Sequence, residues 1–123
     1  MAGNFRALIV DDDPDLLALM RLTLEYMAGW QIFSVSSAAE GLEMARDLVP
    51  DVVLVDLMMP EMDGYEFGRR LKADPATAGV PLVLLTARTE LDKVRLAEAG
   101  VAGVLFKPFQ PETLAQQVRE LCL

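Results

Sequence analysis

Five polar residues interrupt otherwise apolar stretches of this chain. Asp11 and Asp12 directly follow the run Arg6 to Val10, Asp56 follows Asp51 to Val55, Thr86 follows Pro81 to Leu85, and Lys107 follows Gly103 to Phe106. Three carboxylates, one ammonium and one hydroxyl have a definite chemistry if the fold gathers them. Carboxylates brought close repel one another, and the stretch Asp11-Asp12-Asp13-Pro14-Asp15 is heavily negative already. A divalent cation relieves that repulsion. Hard oxygen donors with few protein contacts favour Mg²⁺, which keeps several waters and joins one or two carboxylates to a phosphate oxygen. A metal-binding acidic cluster beside a lysine charge and a hydroxyl donor suits phosphoryl transfer, where catalysis is positioning and neutralisation of charge. The carboxylate can itself be the nucleophile, giving an acyl phosphate. Asp56, central and flanked by apolar residues, is the candidate for that role.

Composition narrows the alternatives. The chain has no histidine, which removes the commonest general base, the usual imidazole zinc site and the Ser-His type of triad. A net charge of −8 opposes wrapping a nucleic-acid backbone or an anionic membrane, so neither is expected as a direct partner, and cationic partners fit better. The single cysteine, Cys122, cannot form an internal disulfide and is compatible with a reducing compartment. The apolar run Ala7 to Val10 stops at Asp11, unlike a signal peptide, and no apolar run approaches the roughly 18 residues of a membrane span. A cytoplasmic location is the expectation.

To meet in one place, the five residues need a scaffold that delivers them to a common edge. Short β-branched runs alternate five times with longer amphipathic stretches, the pattern of a parallel sheet covered by helices on both faces. Strands are expected over Arg6 to Val10, Trp30 to Val35, Asp51 to Val55, Pro81 to Leu85 and Gly103 to Phe106. Asp13 with Pro14 reads as a helix start, followed by the apolar stripe Leu17, Met20, Leu24 and Met27. Ser37 with Glu40 is a capping box ahead of Leu42, Ala45 and Val49. Asp63 to Glu66 opens a third helix with Phe67 and Leu71 inward, Thr89 to Asp92 a fourth, and Pro111 a fifth with Leu114, Val118 and Leu121 on one side. Gly29, Gly79 and Gly100 sit where helices should stop. With no repeat or linker, residues 1–123 read as one domain. In an open α/β sheet ligands bind at the carboxyl ends of the strands, where the strand order reverses. An order of 2-1-3-4-5 would make the first and third strands neighbours and set Asp11 and Asp12 opposite Asp56.

The motifs Ile9-Val10-Asp11-Asp12-Asp13-Pro14, Asp56-Leu57-Met58-Met59-Pro60-Glu61-Met62-Asp63-Gly64, Leu85-Thr86-Ala87 and Phe106-Lys107-Pro108-Phe109 resemble those of the receiver domain of bacterial two-component response regulators. The likeness runs from Leu8 to Leu121. It implies a flavodoxin-like (βα)5 fold and a phosphoacceptor switch, with Asp56 taking a phosphoryl group from a phosphohistidine of a sensor histidine kinase or phosphotransfer protein. By the same resemblance Asp12 and Asp56 would hold Mg²⁺ through their side chains, the Met58 backbone carbonyl would be the third protein ligand, and Asp11 would act largely through water. Lys107 and Thr86 would bind phosphoryl oxygens, the Ala87 N–H another, and the Lys107–Pro108 bond would be cis. Such a domain promotes only its own phosphorylation and dephosphorylation and then binds a downstream protein; a homodimer is left open, and no output domain is expected within the chain. The position three before Lys107, commonly aromatic in the family, is here Val104, which cannot swing a ring between buried and exposed states. Two other readings stand beside the switch. One is a phosphorylation-independent interaction module. The other is a Mg²⁺-dependent aspartyl phosphatase, whose second acid would fall at Met58.

Overall fold

Every apolar run noted in the sequence is a strand. A computed structural model describes residues 5–122, in the element order β1 (Arg6–Val10), α1 (Pro14–Ala28), β2 (Gln31–Val35), α2 (Ala38–Leu48), β3 (Val52–Asp56), α3 (Gly64–Ala73), β4 (Leu82–Thr86), α4 (Lys93–Ala99), β5 (Gly103–Phe106) and α5 (Pro111–Cys122). The sheet is parallel throughout, ordered β2-β1-β3-β4-β5. That is the flavodoxin-like arrangement the sequence implied. β3 and β4 are buried along their whole length, as central parallel strands covered on both faces must be.

The two faces of the sheet make two cores. Ile9, Leu54, Val83 and Leu85 meet Met20 and Leu24 of α1 and Leu114 and Val118 of α5. Leu8, Val53, Val55 and Leu84 meet Ala45 of α2 and Phe67 and Leu71 of α3. Alternate residues of each strand serve opposite faces, which follows from the period of two. Trp30 is buried against Phe5, with ring centroids 4.5 Å apart, and Cys122 packs at the edge of the same core.

The helix starts are as the sequence marked them for α1, α2, α3 and α5. Asp13 accepts the N–H groups of Asp15 and Leu16, Ser37 that of Glu40, and Asp63 that of Glu66. Each satisfies orphan donors of a first turn. Four expectations fail. Met27 is 59% exposed and the buried polar residue Thr23 packs in the α1 face instead, because the last turn of α1 is left uncovered where the chain turns at Gly29 into β2. Val49 is not the inward end of α2. It follows the helix as a left-handed cap (φ 44°) and is half exposed, held there while the Arg6 guanidinium donates to the Leu48 and Val49 carbonyls. Gly79 lies in a turn beyond α3, which ends at Ala73 with Asp74 as its cap. The fourth helix starts at Lys93 with Asp92 as N-cap, leaving Thr89 to Leu91 in the preceding loop. Strand ends also move by one residue: Asp56 and Thr86 are the last residues of β3 and β4 rather than the first after them.

Candidate functional site

The strand order sets the site. β1 and β3 are neighbours in register, with Val10 opposite Val55, so the residues that follow or end these strands, Asp11 and Asp56, lie side by side at the carboxyl edge. β4 and β5 complete the row, delivering Thr86 and Lys107. Carboxylate oxygens of Asp11, Asp12 and Asp56 all lie within 4.8 Å of one another. Asp11 is fully buried, Asp56 nearly so, and Asp12 exposed.

Lys107 stands between the two buried acids. Its Nζ is 3.3 Å from Asp11 Oδ2 and 3.3 Å from Asp56 Oδ1. Asp11 is held further by the Asp13 N–H, which donates to Oδ1 at 2.9 Å. One ammonium therefore pairs with two of the three clustered carboxylates. Burial pushes the Asp56 carboxyl above its ordinary value, the neighbouring Asp11 charge pushes it the same way, and Lys107 and the Met58 N–H pull it back. The net displacement is upward, chiefly because burial disfavours the charged form and Asp11 adds to it more than Lys107 and Met58 take away.

The β3–α3 loop closes tightly on Asp56. The Leu57 N–H donates to the Leu85 carbonyl and the Gly64 N–H to the Leu57 carbonyl. A Cβ at Gly64 would come within 3.0 Å of Leu57 Cα and 3.2 Å of the Asp56 carbonyl oxygen, so the helix can start this close only with glycine. Met58, the next loop residue, is half exposed at the rim. Opposite, Thr86 is buried and its Oγ1 accepts the Arg88 N–H at 3.0 Å, a turn that sets the course of the chain through Ala87. The Lys107–Pro108 bond is cis. Val104 lies opposite Leu84 and packs on the α2–α3 side of the core. The aromatic ring beside the threonine is that of Phe106, in register with Thr86 and half exposed.

A group the sequence did not reveal ties this site to α4. The Tyr65 hydroxyl accepts the Asp92 N–H at 3.0 Å. Arg95 pairs with Asp63 at 3.0 Å and lies over the Tyr65 ring at 4.6 Å. Asp63 was legible at a helix start and Asp92 near one, though not as its cap. That one tyrosine and one arginine join their two helices was not, since the pairs are far apart in the chain.

All the residues singled out in the sequence thus stand at one edge. The donor set is oxygen only, dense in carboxylate and short of positive charge, which fits a hard divalent cation. A family model described as the response regulator receiver domain matches residues 7–119. The DNA-binding response regulator MtrA of Mycolicibacterium smegmatis is 40% identical over 115 residues, covering 93% of this chain and 49% of MtrA. The DNA-binding dual master transcriptional regulator RpaA of Synechocystis is 38% identical over 117 residues, covering 94% of this chain and 48% of RpaA. The chain thus spans about half the length of the curated relatives it matches. Among solved structures, the chemotaxis response regulator CheY4 of Vibrio cholerae superposes with a TM-score of 0.86 at 30% identity, over 94% of this chain and 97% of that one.

Proposed function

Because the chain belongs to the response regulator receiver domain family, we propose that it is a phosphoacceptor switch whose acceptor is Asp56. The observation that carries this reading is the Lys107 bridge. A buried carboxylate lies at the common edge of the sheet, 3.3 Å from an ammonium and beside two further acids. An Asp56 oxygen attacks the phosphorus of a phosphohistidine on a kinase or phosphotransfer protein. The new P–O bond forms as the P–N bond breaks, and the imidazole leaves with the electron pair and takes up a proton. Asp12 and Asp56, with the Met58 backbone carbonyl and with Asp11 through water, would hold Mg²⁺, which supplies charge neutralisation for the incoming phosphoryl group. Lys107 holds a phosphoryl oxygen in place of the Asp56 oxygen it meets at rest. Thr86 exchanges its contact with the Arg88 N–H for one with the phosphoryl group, and the Ala87 N–H donates to another oxygen. The added charge of about −1.5 to −2 draws Thr86 inward and shifts the surface that binds a downstream protein. The reaction is the domain's own phosphorylation and dephosphorylation, with no separate substrate turned over.

Intact-protein mass spectrometry after incubation with Mg²⁺ and acetyl phosphate tests the assignment. The expected result is a gain of one phosphoryl mass that disappears in Asp56→Ala and in metal-free buffer. If a phosphorylated histidine-kinase domain also failed to deliver the group, the acceptor assignment would fall and the phosphorylation-independent interaction module would replace it.

A further inference from the structure

A groove of about 410 Å³ runs along β2 beside α2 and shares no lining residue with the carboxylate site. Its floor is apolar: Phe33 and Val35 from β2, Met44 and Leu48 from α2, none of them fully buried. Its wall is acidic. Glu40, Glu43 and Asp47 line it from α2 and all three are exposed. The nearby cations are engaged elsewhere. Arg6 is held by the carbonyls at the end of α2, and Arg46 pairs with Asp74 at 2.9 Å.

β2 is also an edge strand. The Gln31 N–H donates inward to the Phe5 carbonyl, and the Val35 carbonyl accepts inward from the Asp11 N–H. Because the backbone groups of successive strand residues point to opposite sides, Ile32 and Ser34 turn theirs to the open edge, where an extended chain can pair with them.

We propose that this groove docks an extended basic segment of a partner protein, which adds to β2 as a further strand with Lys or Arg at alternate positions. The alternation follows from the two faces of β2. On the α2 face, long basic side chains lay their stems on Phe33, Val35 and Met44 and carry their charges to the acidic wall. On the α1 face Arg21 donates to the Ser34 Oγ at 3.3 Å and pairs with Glu25 at 3.1 Å, so the acid there already has its cation and uncharged residues fit. The pitch agrees: alternate strand residues repeat every ~6.6 Å, and Glu43 to Asp47 is about 6 Å of helical rise. The chain's net charge of −8 steers such a segment in. Nothing in this step needs Asp56, so it stands apart from the phosphoacceptor reading.

The test is an NMR titration of the ¹⁵N-labelled chain, saturated with Mg²⁺, with a capped octapeptide alternating Thr and Lys. Saturable shifts are expected at the amides from Ile32 to Val35 and at Met44. Affinity should fall about tenfold or more in Glu43→Lys/Asp47→Lys, a pair of exposed changes checked by an unchanged melting curve, and should weaken at about 0.5 M NaCl. A Thr-Glu octapeptide should produce no shifts. Shifts confined to Asp11, Asp12, Met58 and Ala87, or undiminished binding by the double variant, would overturn the proposal. So would a helical Lys-Leu peptide that fills the groove when the extended one does not.

Discussion

Replacing Asp56 by asparagine should make the metal-free protein more stable at neutral pH. The substitution keeps the shape of the side chain and removes its charge. At 3.3 Å from Lys107 that charge gains about 5 kcal/mol at an effective dielectric of 20. Against this, Asp11 within 4.8 Å costs about 3.5 kcal/mol or more on the same scale, and desolvation of a carboxylate whose side chain is only 10% exposed costs several kcal/mol. Taking that desolvation as about 3.5 kcal/mol, the balance is unfavourable by about 2 kcal/mol, in the same direction as the upward displacement of the Asp56 carboxyl. Lys107 still has Asp11 as a partner in the variant, so no cation is stranded. A gain of this size is about 8 °C in Tm for a domain of this length. The sign of the pH dependence is also fixed. Asp56 holds its proton more tightly folded than unfolded, so its ionisation lowers stability as pH rises through the folded value; acidification restores that stability to the wild type and not to Asp56→Asn. Paired thermal melts in EDTA at pH values on either side of the transition measure both effects. A variant no more stable than wild type at neutral pH, or a gap that stays constant on acidification, refutes the electrostatic account.

Mg²⁺ at tenfold excess over its Kd should stabilise the wild type by about 1.4 kcal/mol, read as a rise in Tm of about 5 °C, and Asp12→Ala should abolish the rise. Gly68→Ala should destabilise by about 1–2 kcal/mol in urea melts, because the new Cβ meets Ala99 Cβ at 2.8 Å and the Ala99 carbonyl at 3.0 Å; an unchanged midpoint would mean that α3 and α4 can part at no cost. Glu66, held down to about 2 by Arg69 and Arg70, should contribute stability above its ordinary value of 4.5 that is lost as pH falls toward 2. Glu66→Gln should remove that part of the acid limb, an effect that shrinks with added salt since the arginines are exposed.

The sheet was legible because each strand is a short, largely apolar run ended or followed by a charged or polar residue, and in a doubly covered parallel sheet both faces select apolar side chains. The site was legible for a related reason: polar residues at the ends of such runs have one edge to go to. Where sequence reading failed, the cause was geometric. Helical periodicity gives the bearing of Met27 about its axis, and it says nothing of how far along that axis the sheet extends. The same pattern carried Val49 into α2, although the chain must leave the helix there to reach Pro50 and β3. Thr89 and Asp92 are both competent caps, and the choice fell to Asp92 because its N–H is taken by a tyrosine hydroxyl 27 residues away. Nothing local to either segment encodes that contact.

The attachment of α4 has a thermodynamic consequence. This seven-residue helix buries one side chain, Ala99, and rests mainly on α3. Its C-terminal end is fixed where Ala99 presses on Gly68, whereas its first turn is tied down by the Tyr65 hydroxyl and the Arg95–Asp63 pair. Releasing that turn exposes little apolar surface, so the first turn of α4 opens at a small fraction of the free energy of global unfolding. Amide exchange at Val94 and Arg95 will therefore run through local fluctuation, while that at Leu54 and Leu84 waits for the whole molecule to unfold. The protein thus has a cooperative unit smaller than itself, adjoining the loop that follows Thr86.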